Sequence, residues 1–170
     1  MCATEKQSTE MKIDEFIIKF KKKFPEALIG NFNESTNSER KELDDFIQGN
    51  NFLTQDSDYI AYLSKFSALS YFNPITDGDL TLFGFDSGKT ITFLNNEFPD
   101  EPLIDENGYM LIGHLIRPKE EKQIDFYFNS KNVGSGIFVN TQIDKGSQKD
   151  YELLCSSFSE LLEFLLTQEI

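Results

Sequence analysis

The stretch YMLIGHLIRPKEEKQIDFYFNSKNVGSGIFVN, from Tyr109 to Asn140, decides the fold of this chain. It contains three segments rich in apolar and aromatic residues: Tyr109 to Ile116, Ile124 to Asn129, and Gly136 to Asn140. Charged or glycine-containing connections separate them, and short runs of this composition between turn residues are typical of β-strands. We therefore predict a three-stranded meander and expect the remaining elements to pack around it.

Helices are predicted before this meander. An apolar face at helical spacing predicts a first helix that begins at Ser8 or Thr9 and ends before Pro25. Its members are Ile13, Phe16, Ile17, Phe20 and Phe24. After an expected loop from Gly30 to Ser35, a capping-box pattern at Thr36 and Glu39 predicts a second helix that ends at Gly49. A third helix is expected from Asp56 or Ser57, with a stripe of Tyr59, Tyr62, Leu63, Phe66 and Leu69.

Strands are predicted after these helices, and the chain closes with one more helix. The runs Leu80 to Phe85 and Thr90 to Leu94 predict a hairpin around Asp86, and a proline-containing loop from Asn95 to Gly108 follows. Beyond the meander, Ser157 and Glu160 repeat the capping pattern and open a terminal helix. This order predicts the α+β class: a mostly antiparallel sheet of about five to six strands with N-terminal helices and a C-terminal helix packed against it. We expect one domain over 1–170, with residues 1–9 flexible.

The charge balance restricts the partners that the chain can bind. The 170 residues carry 29 acidic and 16 basic side chains, a net charge of -13. This balance argues against nucleic-acid binding and against docking on anionic membranes, since both need an excess of Lys and Arg. Ten of the acids and only two bases lie between Asn50 and Tyr109. We expect such a surface to attract a basic partner.

The cysteine and histidine content argues against metal and disulfide chemistry. Cys2 and Cys155 are the two cysteines and His114 the one histidine, so neither a disulfide framework nor a zinc site is predicted, and no cofactor is expected. No apolar run approaches the roughly 18 residues of a membrane span, and no signal peptide begins the chain, which predicts a cytoplasmic protein. An alternative is that Cys2 is the lipidation site of a lipoprotein whose signal peptide was replaced by the start codon.

Four features that invite a catalytic or ligand-binding interpretation each have a structural alternative. His114 lies in an apolar strand, where a satisfied histidine in or beside the core is favoured over a general base. Asp77 and Asp79 could supply two carboxylate ligands to a divalent ion, as in a metal-dependent transferase; the structural alternative is that both belong to a β-turn. Gly134-Ser135-Gly136 lacks the third glycine and the helix of a dinucleotide site and is interpreted as a turn or bulge. Cys155 precedes a helix start, but no base is paired with it.

Several motifs resemble the SUKH superfamily, the domain of a fungal cell-wall regulator and its many bacterial relatives. The early family motif Leu-Pro-x-x-Tyr-x-x-Phe-Leu is similar to Leu53 and the later DYIAYL of 58–63, with Thr54 near the place of the proline. The later family strands are matched by LIG at 111–113, DFYF at 125–128 and GIFV at 136–139. The closing helix is matched by SFSELL at 157–162, and the likeness spans about Ile13 to Leu166.

This resemblance implies a non-enzymatic protein-binding domain, in bacteria most often an immunity protein that neutralises a cognate secreted toxin. An acidic surface fits a toxin with a basic surface, such as a nuclease. We expect the acidic loops to form the partner-binding surface, with Asp77, Asp79, Asp86, Glu97, Asp100, Glu101, Asp105 and Glu106 as its residues. The alternatives are a cytoplasmic regulatory scaffold and the metal-dependent transferase.

Overall fold

The computed structural model describes residues 2–31, 36–85, 102–131, 136–140 and 150–170, with side chains from residue 12 onward. These residues contain four α-helices: α1 (Cys2–Lys23), α2 (Asn37–Gly49), α3 (Ser57–Lys65) and α4 (Phe158–Thr167). They also contain seven strands: β1 (Leu28–Asn31), β2 (Phe66–Asn73), β3 (Gly78–Phe83), β4 (Tyr109–Arg117), β5 (Lys122–Asn129), β6 (Ile137–Asn140) and β7 (Tyr151–Cys155). The strands form one antiparallel sheet in chain order. The predicted α+β class is confirmed, but the sheet has seven strands rather than five or six.

Three strands occupy positions where the sequence predicted something else. β1 replaces part of the loop expected at Gly30, and β7 lies where no element was expected. The third predicted helix ends at Lys65, since Phe66 already has an extended backbone and begins β2. Phe66 and Leu69 have the spacing of a helical stripe. They form part of β2 instead, because this segment pairs with β1 on one side and with β3 on the other. The predicted strand from Thr90 to Leu94 and its turn at Asp86 lie outside the described residues.

The predicted helix starts are mostly confirmed by cap geometry. At Thr36 both bonds of the capping box form, because the Glu39 N–H donates to Thr36 Oγ1 at 3.4 Å and the Thr36 N–H donates to Glu39 Oε2 at 2.6 Å. At α4 the Glu160 N–H donates to Ser157 Oγ at 3.2 Å, but the Glu160 carboxylate accepts from the Ser156 N–H instead. The first helix begins at Cys2, earlier than the predicted caps and within the residues expected to be flexible.

The core lies between one face of the sheet and the helices α1, α3 and α4. Tyr62 of α3 donates its hydroxyl hydrogen to the Leu82 carbonyl at 3.0 Å, and Tyr59 packs on Phe128 with ring centroids 4.7 Å apart. Phe164 of α4 packs on Phe126. The residues predicted for the buried face of the meander are Ile112, Phe126, Phe128, Ile137 and Val139, of which the first four are buried and the last is half-buried.

α1 and α4, which are far apart in the chain, pack against each other. The Lys23 ammonium group in the last turn of α1 donates to the carbonyls of Leu166 at 2.9 Å and Gln168 at 2.6 Å. A cation at this position satisfies carbonyls at the end of α4 and complements its dipole. The contact holds the first and last helices together on one face of the sheet.

Side chains alternate along each strand, so the second face of the sheet carries a different set of residues. The register places Asp79 and Thr81 of β3, His114 of β4 and Asp125 of β5 on this second face. Phe72 of β2 joins them, because it pairs directly with Asp79. Most of the charged and polar candidates from the sequence therefore lie away from the helices.

Candidate functional site

The structure separates the acids that were predicted to bind a partner. Asp86, Glu97, Asp100 and Glu101 lie outside the described residues. Of the others, Asp79 pairs with Ile116 at one end of β4, whereas Asp105 and Glu106 lie just before Tyr109 at its other end. Seven residues at about 3.3 Å each put these ends roughly 20 Å apart. The described acids therefore form two separate groups.

The first group lies in the turn between β2 and β3. Asp77 is exposed and has a left-handed backbone with φ of 57°. Asp79 is half-buried; its Oδ1 accepts the hydroxyl hydrogen of Thr81 at 3.2 Å, and its Oδ2 lies 3.4 Å from Nε2 of His114. Asp79 is therefore fixed by neighbours on its own sheet face, while Asp77 projects into solvent.

Short-range hydrogen bonds fix the conformation of this turn. The Ile75 N–H donates to Asn73 Oδ1 at 2.9 Å and the Gly78 N–H donates to Thr76 Oγ1 at 3.2 Å, so side chains replace backbone partners on both sides of the turn. The Asn73 amide also donates to the Ile170 carbonyl at 2.6 Å. A Cβ on Gly78 would lie 3.0 Å from the Ile170 carbonyl carbon, which is a tight contact that favours glycine. The turn is held in one conformation.

Exposed apolar side chains border this turn, and none of them was predicted from the sequence. Phe72 is 54% exposed, Ile75 83% and Leu28 74%. Leu28 pairs with Ser70, which is two residues before Phe72 on the same face of β2. We call Leu28, Phe72 and Ile75 the apolar corner. No sequence signal marked these residues, because an apolar residue in a strand or turn is ordinarily expected to be buried.

The second acidic group is largely committed to the fold. Asp105 Oδ1 accepts from the N–H groups of Asn107 and Tyr109 at 2.9 Å each, and its Oδ2 accepts from the Tyr151 hydroxyl. Burial, and then this hydrogen bond, raises the pKa of Tyr151. The ring of Tyr151 stacks on Tyr109 with centroids 3.6 Å apart. Asp105 thus ties β7 to the start of β4, and only Glu106 of this pair is exposed.

His114 occupies a position between two carboxylates on the second face. The His114 side chain is 14% exposed. Asp79 lies beside it on β3, and Asp125, which pairs with His114, lies on its other side on β5. Its ring meets Phe83 edge-on at 5.7 Å. The imidazole is packed and has a hydrogen-bond partner, which agrees with the interpretation of a satisfied strand histidine.

In the part of the chain that the structure describes, the remaining sequence candidates form no catalytic or metal-binding arrangement. Gly134 and Ser135 lie outside the described residues. Burial raises the pKa of the Cys155 thiol to about 11, which opposes a reactive thiolate. Within the described ranges, no three His, Cys, Asp or Glu side chains are close enough to hold a metal ion, and a cleft between α1 and α4 has a volume of about 80 Å³. That volume is well below the roughly 300 Å³ of a small-ligand pocket.

No helix in the described part of the chain combines the length and apolarity that a membrane span requires. No protein-family model, no curated protein and no solved structure matches the chain. The resemblance to the SUKH superfamily therefore stays a prediction that rests on the motifs at 53–63, 111–139 and 157–162.

Proposed function

We propose that the chain is a non-enzymatic protein-binding domain, an immunity protein that neutralises a cognate secreted bacterial toxin with a basic surface. The observation that carries this proposal is the turn between β2 and β3, which displays Asp77 and Asp79 beside exposed apolar side chains. The net charge of -13 and the resemblance to the SUKH superfamily support it.

Electrostatic steering gives this arrangement a mechanism. A net negative molecule with an exposed carboxylate at Asp77 and a half-buried one at Asp79 accelerates encounter with a basic partner, and salt weakens the effect. The turn is already ordered by its own hydrogen bonds. Little conformational entropy is therefore lost on binding.

The partner can be identified by affinity capture from the native cell and mass spectrometry, together with inspection of the adjacent open reading frame. The proposal predicts a toxin domain with a basic surface, which is then purified and tested for inhibition by this chain. Housekeeping machinery as the specific partner would instead support a regulatory scaffold.

A charge-neutralising variant tests the contribution of the acids. The exchanges Asp77→Asn and Glu106→Gln remove two exposed carboxylates, and Asp44→Asn with Asp45→Asn on the exposed face of α2 makes the same charge change elsewhere. We expect the first variant to associate several-fold more slowly at low ionic strength and to show a flatter salt dependence. Equal effects of the two variants in stopped-flow measurements would contradict a role for these positions.

The metal-dependent transferase makes a different prediction for Asp79. Calorimetric titration with Mg²⁺ or Mn²⁺ would then show micromolar binding that is lost in Asp79→Ala. In the fold, Thr81 and His114 already occupy the two oxygens of this carboxylate, and this favours the binding domain.

A further inference from the structure

Large apolar side chains that face solvent are few in the part of the chain that the structure describes. They are Ile18, Leu28, Phe72, Ile75 and Leu153. Single exposed apolar residues are normal, but a contiguous patch with a polar rim marks an interaction site. Three of these five residues, the Leu28, Phe72 and Ile75 of the apolar corner, occupy neighbouring positions on β1, on β2 and in the turn after β2.

The register and the chain order explain why these three residues are neighbours. Phe72 and Leu28 share one sheet face on the neighbouring strands β2 and β1, and Ile75 follows in the turn that ends β2. Phe72 lies directly opposite Asp79, which places a carboxylate beside its ring. Asp77 follows Ile75 in the same turn, so the patch has an acidic edge.

We propose that the apolar corner is the anchor of the partner interface and is inserted into an apolar pocket whose rim carries Lys or Arg. This inference rests on the proposed function and adds which residues supply the affinity. Interface energy is concentrated in a few apolar and aromatic anchors surrounded by polar groups. Phe72 and Ile75 are the anchors, and the exposed Asp77 meets the basic rim.

Charge favours a basic partner over a second copy of this chain. Self-association through the corner would bring Asp77 and Asp79 of two molecules together, each molecule carrying a net charge of -13. Glu26, two residues before Leu28, is exposed and adds a further negative charge. The nearby Lys21 amine donates to the Ala27 carbonyl at 2.7 Å and is thus directed at its own backbone.

Site-specific photo-crosslinking tests the position of the interface. A benzophenone amino acid is placed at Ile75 in one variant and at Ile18 of α1, which is 69% exposed, in another. In the native cell we expect a discrete crosslink to one basic protein from position 75 and none from position 18. That protein is then purified, and its affinity is measured by calorimetry.

Affinity measurements with the purified partner test the anchor. We expect Phe72→Ser and Ile75→Ser each to raise Kd at least about tenfold, and Ile18→Ser to change it less than about twofold. Because Ile75 lies in a turn, its exchange should leave the urea midpoint unchanged, which separates lost contact from lost fold.

The outcomes distinguish this inference from the proposed function. If the partner binds and Asp77→Asn with Glu106→Gln slows association, but both serine variants bind like wild type, the anchor is wrong and the function stands. A crosslink from position 75 to a second copy, with a dimer that Ile75→Ser dissolves, would also overturn the anchor. If no protein binds the wild-type chain specifically, both proposals fail.

Discussion

Two tyrosines of α3 share the same burial but differ in hydrogen bonding. The Tyr62 hydroxyl donates to the Leu82 carbonyl, whereas the Tyr59 hydroxyl, buried among aromatic rings, has no partner in the part of the chain that the structure describes. We expect Tyr59→Phe to leave stability unchanged or to raise it by about 1 kcal/mol, and Tyr62→Phe to lower it by about 1 kcal/mol. Urea unfolding followed by circular dichroism measures both.

The two exchanges remove the same atom from neighbouring positions, so each is the control for the other. A larger loss of stability in Tyr59→Phe than in Tyr62→Phe would mean that the Tyr59 hydroxyl has a partner, such as a buried water molecule.

Asp56 is one buried carboxylate that caps two helices. Its Oδ1 accepts from the N–H groups of Asp58 at 3.1 Å and Tyr59 at 3.0 Å, and its Oδ2 accepts from the Phe158 N–H at 2.7 Å. We expect Asp56→Ala to lower the free energy of unfolding by about 3 kcal/mol, because it removes the cap of α3 and leaves the buried N–H of Phe158 without its acceptor. Ser157→Ala, which removes one capping bond, should cost about 1 kcal/mol.

The ionisation of Asp56 also has a stability consequence with a definite sign. Burial, the largest cause, raises the pKa of Asp56 in the folded chain. Protonation therefore favours folding, and this contribution is full below the ordinary value of about 3.9 and is lost as the pH rises through the folded pKa. We expect the stability of wild type relative to Asp56→Asn to increase as the pH falls from 7. A difference that shrinks would contradict this sign.

At the scale of elements, the long and strongly patterned segments were predictable, and the short or edge strands were not. β4, β5 and β6 are confirmed because their apolar runs are bounded by turns. β1 has four residues, and the LIGN sequence includes glycine, so its partner strand decides its structure. β7, YELLC, has no alternation, because a register shift near Leu153 and Leu154 interrupts it.

The candidate surface was likewise predicted only in part. Asp77 and Asp79 were identified because acidic residues near a turn signal are visible in sequence. The sequence did not show that the Asp105 carboxylate accepts hydrogen bonds from Tyr109 and Tyr151, because Tyr151 is far from Asp105 in the chain and approaches it only in the folded sheet. Phe72 and Ile75 were missed because exposure depends on which elements cover a face, and that information is absent from local patterning.

Close approach of neighbouring strands makes Gly113 of β4 costly to replace. Beside the register shift in β4, a Cβ on Gly113 would lie 2.5 Å from the Thr81 carbonyl oxygen. We expect Gly113→Ala to cost about 1 to 3 kcal/mol through forced strand displacement. Gly49 at the end of α2 has nothing within 4 Å, so Gly49→Ala should be neutral or stabilise by up to about 1 kcal/mol. Thermal unfolding of both variants measures the two effects. An equal loss of stability in Gly113→Ala and Gly49→Ala would contradict the role of the close strand contact.

At the scale of the whole molecule, the charge of -13 opposes compactness. We expect the urea midpoint to rise when NaCl is increased from about 0.01 M to about 0.5 M, because screening reduces self-repulsion in the folded state. The slope of the unfolding transition should stay the same. KCl should raise the urea midpoint by the same amount as NaCl, because screening depends on ionic strength and not on the identity of the cation. A midpoint that falls with salt would indicate that attractive ion pairs dominate instead.

The meander has a consequence for synthesis on the ribosome. Strands β1 to β6 can pair in the order in which they emerge, because sheet order follows chain order. Phe126, however, is covered by Phe164 of α4, which is made after all the strands. At about 5 to 20 residues per second, a few seconds separate the end of β6 from the end of α4. During that interval Phe126 lacks the ring that covers it in the folded chain, so part of the stretch that decides the fold is exposed to aggregation until the last helix is made.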